Sequence, residues 1–158
     1  MMIKLKIIGF IAMLVWSLPL VAQKKGYDLN WQSDIEQAKM MAKENDKLIL
    51  IYFTSSDASI TASKSLNEDF FYTEKFKNLA DKNLVLVRVN IPRRENLISE
   101  LQKNTNQELR IKYEQRVIPT VVVCDSNGNK LGMIESYNYL HDTSKHYALI
   151  NNALKNQR

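Results

Sequence analysis

The sequence predicts an α/β domain: a central mixed β-sheet flanked by helices on both faces. Three observations predict it. Leu48-Ile49-Leu50-Ile51-Tyr52-Phe53 is an unbroken apolar run, the pattern of a strand buried on both sides. Helical and extended signals alternate along the chain, as they do where parallel strands are joined by helical crossovers. Asp125-Ser126-Asn127-Gly128-Asn129 separates two further extended runs. Asn-Gly is a strong hairpin signal, so an antiparallel edge joins the sheet.

The elements follow in order. Tyr27 to Trp31 reads as a short edge strand. Ser33-Asp34-Ile35-Glu36 reads as a capping box with Ser33 at the cap. Ile35, Ala38 and Ala42 then recur at helical spacing, giving a narrow buried stripe that Asn45-Asp46-Lys47 ends. After the strand Leu48 to Phe53, small polar residues stop the extended run, and Ser56 or Asp57 is placed to cap a helix. Ile60, Leu66, Phe70, Phe71 and Phe76 belong to one helical segment, with Asn67-Glu68-Asp69 as its expected break. Leu84 to Ile91 is the second strand, closed by Pro92, which cannot donate to a ladder. A polar helical stretch runs from about Glu95 to Lys112, divided near Asn104 to Gln107. Val121 to Cys124 is a third buried strand, taken with the first two as parallel. Lys130 to Glu135 returns antiparallel. A last helix is expected to bury Tyr147, Ile150 and Leu154.

The first 22 residues stand apart. Lys4 and Lys6 precede an apolar run from Ile7 to Val21, broken by Ser17 and Pro19, and Ala22 offers a small residue for cleavage. That is the order of a signal peptide, leaving 23–158 as one domain in an extracytoplasmic compartment, periplasmic or secreted. The run falls short of the roughly 20 residues a membrane span needs. A retained anchor is the other reading, and the only one that brings in a membrane. No cysteine follows the run, so a lipoprotein is not expected.

The remaining chemistry is sparse. The net charge of +5 includes the two leader lysines, and a mildly basic domain argues for no nucleic-acid partner. Arg88, Arg93, Arg94, Arg110 and Arg116 alternate with Glu95, Glu108 and Glu114, a solvated surface pattern. Cys124 is the one cysteine, so no intramolecular disulfide exists. Behind three valines it reads as a core thiol rather than a reactive one, since burial raises a thiol pKa. His141 and His146 lack both a same-face spacing and a surrounding ligand set, so no metal site and no cofactor is expected. Ser55, Ser56, Ser59 and Thr61 cluster where a helix should start. Capping accounts for them better than anion binding, which Asp57 would oppose.

Several of these residues together resemble the thioredoxin-like family. They are Trp31, the Ala38/Ala42 helix, Lys47, Tyr52-Phe53-Thr54, Tyr113, Arg116, the Ile118-Pro119-Thr120 step and the Asp125 to Gly128 turn. The resemblance spans Trp31 to Leu154. It implies a thioredoxin-like fold with a Cys-x-x-Cys at the start of the helix after the first central strand. Here Ser59 and Ala62 occupy the cysteine positions, and Ala58 stands where a tryptophan often precedes them. A hydroxyl cannot form a disulfide and a methyl cannot resolve one, so the family's redox chemistry is not expected. The resemblance also implies a cis Pro119 and an Ile118 whose backbone meets an extended peptide. The expected function is a non-catalytic module binding an extended polypeptide or envelope partner through Ser56, Asp57, Ala58, Ser59, Ile118 and Pro119. The alternatives are thiol–disulfide chemistry through Cys124 alone and a structural subunit.

Overall fold

Seven consecutive buried residues make β2 (Leu48–Thr54) the axis of a five-stranded sheet, in which β1 (Trp31–Gln32), β3 (Leu84–Asn90), β2, β4 (Thr120–Cys124) and β5 (Lys130–Glu135) follow in that order across the sheet. The computed structural model describes residues 28–56, 60–93, 97–138 and 140–157. The leader expected over 1–22 lies outside them, as do Asp57, Ala58, Ser59, Arg94, Glu95 and Tyr139. No helix among the described residues is long and apolar enough to cross a membrane.

Alternation along β2 explains the two-layer core. Leu48, Leu50 and Tyr52 point to one face, with Leu86, Val121 and Val123 beside them. That face is covered by α2 (Thr61–Leu66), a π-helical turn (Asn67–Phe71), α3 (Glu74–Asn83) and α5 (Ser144–Asn156). Ile49, Ile51 and Phe53 point to the other face, with Val87, Val122 and Cys124. There the cover is α1 (Ile35–Glu44) and α4 (Glu100–Lys112).

β1 (Trp31–Gln32) and β2 each run parallel to β3 (Leu84–Asn90). β4 (Thr120–Cys124) runs antiparallel to β2, with Phe53 opposite Thr120. The third strand is thus not parallel as expected. The reason lies in α4. Its Asn106 side chain donates to Asn90 O at the end of β3. The loop after it, through Val117 and Ile118, still lies beside Pro92. The crossover ends at the sheet end where it began, so the next strand must run back. A hydrophobic pattern has no direction and could not show this.

Other boundaries shift for local reasons. The cap of α1 is Asp34, not Ser33: Oδ1 accepts from the amides of Glu36 (2.8 Å) and Gln37 (3.3 Å). The stripe Ile35, Ala38 and Ala42 is buried as expected. No break falls at Asn67-Glu68-Asp69. Instead the backbone widens into the π turn, closed by Tyr72 N donating to Asn67 O at 2.7 Å. The helical run is interrupted only afterwards, where Thr73 Oγ1 caps α3 by accepting from Phe76 N. The wider turn lets the neighbours Phe70 and Phe71 both be fully buried. α4 is continuous through 104–107, because Asn106 is buried and hydrogen-bonded rather than helix-breaking. In α5 the buried positions are His146, Ile150 and Ala153, with Tyr147 and Leu154 only half-buried. The face is turned about one residue because a histidine takes a core position.

The hairpin to β5 (Lys130–Glu135) forms as the sequence predicts. Asp125 Oδ1 accepts from the amides of Asn127 and Asn129, and Gly128 sits at φ +81°. Tyr113 Oη donates to Gly128 O at 3.0 Å, pinning the turn to the end of α4.

Candidate functional site

At the C-terminal end of β2 and β3 the chain leaves the sheet three times, and the three loops enclose a groove. The first loop follows Thr54. Ser56 N donates to Asn90 Oδ1 at 2.8 Å, and Asn90 Nδ2 donates to Ser56 Oγ at 3.2 Å. Ser56 is therefore tied to the end of β3 and does not cap a helix. α2 begins later, at Thr61, with Ile60 at the cap and no side-chain bond there. Asp57, Ala58 and Ser59 fall in the interval outside the described residues. Ala62 is half-buried in the first turn of α2 and lines the groove.

The second loop follows β3. Ile91 N donates to Thr54 O at 2.8 Å, and Asn106 Nδ2 donates to Asn90 O at 2.6 Å. Asn90 thus joins the loop after β2, its own strand and α4 through three of its polar atoms. The third loop, from Gln115 to Pro119, closes the groove. Gln115 Nε2 donates to Val117 O, and Thr120 Oγ1 donates to the same carbonyl at 2.7 Å. Ser136 N donates to Pro119 O at 2.8 Å. The Ile118–Pro119 bond is cis. Ile118 is half-exposed and Pro119 buried. Among the described residues no backbone hydrogen bond reaches the amide or carbonyl of Ile118.

The groove has a volume of about 440 Å³, and Ile60, Ala62, Pro92, Val117 and Ile118 give it an apolar floor. Of the described residues expected in the site, Ile118 lines it, whereas Ser56 and Pro119 do not; the partner of Ser56, Asn90, lines the adjoining hollow. A second hollow, about 460 Å³, shares Ile91, Pro92, Arg93 and Arg110 and continues along α4. Sequence reasoning missed Asn90, Asn106 and Gln115, whose amides set the loops. It also read Arg110 and Arg116 as plain surface, whereas both line the groove. Nothing in residue spacing marks them, since they come together only through the returning loop.

Cys124 lies away from this end, on the face under α1 and α4, fully buried and without a disulfide. Burial pushes its thiol up to about 11, against a smaller opposing effect of the Tyr113 hydroxyl. At the opposite face, Asp69 Oδ2 accepts from Tyr137 Oη at 2.8 Å and lies 2.7 Å from His141 Nδ1. His146 is buried near them with neither ring nitrogen bonded, and burial lowers its pKa to about 4. No group of three or more His, Cys, Asp or Glu among the described residues could hold a metal ion.

Comparison with known proteins agrees with this fold. A family model described as Thioredoxin-like matches residues 30–126. The structure is similar to DsbH, titled an oxidoreductase, at 28% identity and a TM-score of 0.68, covering 80% of this chain and 85% of that one. It is similar to a thioredoxin from Thermus thermophilus at 16% identity and a TM-score of 0.58, covering 80% and 88%. It is also similar to the germline-specific thioredoxin Deadhead from Drosophila melanogaster at 15% identity and a TM-score of 0.51, covering 78% and 97%. At those two identities the likeness speaks to the fold alone. No curated protein matches the chain.

Proposed function

The chain belongs to the thioredoxin-like family, and from that premise we propose that it is an exported, non-catalytic member that binds an extended polypeptide in the groove beside Ile118. The carrying observation is the pairing of two facts. The one cysteine is Cys124, so no Cys-x-x-Cys is present, and the resemblance puts Ser59 and Ala62 at the cysteine positions, while a groove with apolar lining residues and an Ile118 backbone that no described backbone group engages remains. An extended segment can satisfy such a backbone and place alternate side chains on the floor. Thiol exchange at this place has no attacking thiolate and no resolving thiol.

The leader-like start, Lys4 and Lys6 before an apolar run and Ala22, supports export. A second reading draws on the likeness to DsbH, an oxidoreductase by its title: thiol chemistry at Cys124. Its full burial and raised pKa weigh against that reading, because the thiolate is the nucleophile.

The test is direct binding of a panel of unrelated, extended ten-residue peptides, compared with Ala62→Trp. The indole would fill the groove from an outer face of α2 without entering the core. The expected result is micromolar to millimolar binding by some panel members, with chemical-shift changes at Ile60, Val117 and Ile118, lost in Ala62→Trp. Binding unaltered by Ala62→Trp, or no binding by any member, would overturn the reading.

A further inference from the structure

Arg110 and Arg116 both line the groove, and neutral side chains orient Arg110. Arg110, in the last turn of α4, donates through Nε to Gln115 Oε1 at 2.9 Å and through Nη1 to Gln107 Oε1 at 3.2 Å. Arg116 is exposed, and its backbone amide, not its guanidinium, donates to Glu135 Oε1 at 3.0 Å. Neither forms an ion pair with a described residue. An amide partner fixes the plane of a guanidinium without cancelling its charge, and the rest of the fork stays available to a carboxylate. No carboxylate lies among the described residues that line this groove. In the adjoining hollow the one acid among the described lining residues is Glu100, already paired with Lys103.

Positive charge held over an apolar floor selects its occupant. The Arg110 guanidinium, bonded to neutral amides among the described residues, keeps its charge for an anionic ligand, and a cleft with low-dielectric walls focuses that field. We propose that the occupant is an acidic extended polypeptide, with apolar side chains on Val117 and Ile118 and alternate carboxylates on Arg110 and Arg116. Period-two alternation along an extended chain supplies both contacts from one segment. The inference rests on the peptide-binding reading and adds its charge selection.

Three labelled probes of equal length test it by fluorescence anisotropy: alternating Glu-Val, alternating Gln-Val and alternating Lys-Val. The Glu-Val probe should bind at least about tenfold more tightly than Gln-Val at about 0.05 M salt, and Lys-Val least. At about 0.5 M salt the advantage should shrink to about twofold. Arg110→Gln and Arg116→Gln should each cost Glu-Val about fivefold and narrow its advantage over Gln-Val. The salt dependence of the unaltered protein carries the test even if a variant folds poorly, which circular dichroism would reveal. Equal, salt-insensitive binding of Glu-Val and Gln-Val would overturn the charge selection and leave the peptide groove standing. Failure of all three probes would overturn both. An oligothymidylate of equal charge that displaces Glu-Val as well as Glu-Val itself does would overturn the assignment to a polypeptide.

Discussion

Cys124 and His146 are both chemically able side chains that the fold silences by burial. Cys124 was legible in sequence: a thiol behind three valines in a buried strand is a packing residue. Ellman's reagent should label it only slowly in the native protein and stoichiometrically in denaturant, and insulin reduction should stay at the dithiothreitol background. Fast native labelling would restore the thiol reading. His146 was not legible, because a histidine immediately before the aromatic Tyr147 looks like a surface residue until the helix is rotated. It packs 5.1 Å from the Phe70 ring and 5.8 Å from Tyr137, centroid to centroid, with no partner for either nitrogen. Its folded pKa of about 4 lies below the unfolded value of 6.5, with desolvation outweighing the opposing pull of Asp142. Between these values the unfolded chain takes up a proton that the native state refuses. The contribution of neutral His146 is therefore intact above about pH 6.5 and is lost as pH falls toward 4, by up to about 3 kcal/mol. His146→Phe, similar in shape and unable to titrate, should flatten that part of the stability–pH curve. Urea melts at pH 7 and pH 4.5 check this, and an unchanged slope would refute it.

The element that departs most from expectation is the π turn at Asn67–Phe71. Sequence periodicity marked Phe70 and Phe71 as apolar, but a regular helix turns successive residues by about 100°, so a single face could not be assigned to both. The extra width resolves the conflict, and Phe71 becomes the hub of the aromatic core. Its ring centroid lies 4.4 Å from Tyr52, 5.2 Å from Trp31 and 5.0 Å from each of Phe70 and Phe76. Phe71→Ala should cost about 3–5 kcal/mol, the range for a buried aromatic cut to a methyl. Chemical denaturation measures it, and a loss below about 1 kcal/mol would mean the cluster collapses around the gap. The helices and strands with plain periodicity, α1 and β2 above all, were readable because packing there agrees with pattern. The groove was readable only in part. Ile118 and Ser56 could be named from a resemblance, but Asn90, Asn106 and Gln115 act across the chain, and no local spacing encodes a contact between a strand end and a distant helix.

At the scale of the whole molecule, the proposed export is the part most easily tested. If the first 22 residues are a signal peptide, protein from the envelope fraction should begin at about Gln23 by N-terminal sequencing. An intact Met1 in the membrane fraction would replace export in solution with anchoring. The sheet order then has a consequence for how the chain is made. The middle strand is finished early in synthesis, yet one of its two neighbours is β4, which follows far later: Ile49 pairs with Cys124. Until that late segment arrives, β2 presents an open row of amides and carbonyls along seven residues that are buried in the finished fold. An unpaired apolar strand is a template for another chain. A polypeptide threaded outward through a membrane, amino end first, would expose this half-finished edge on the far side before its partner emerged. For an exported chain, that journey is also the interval in which it is most open to sticking to its own kind.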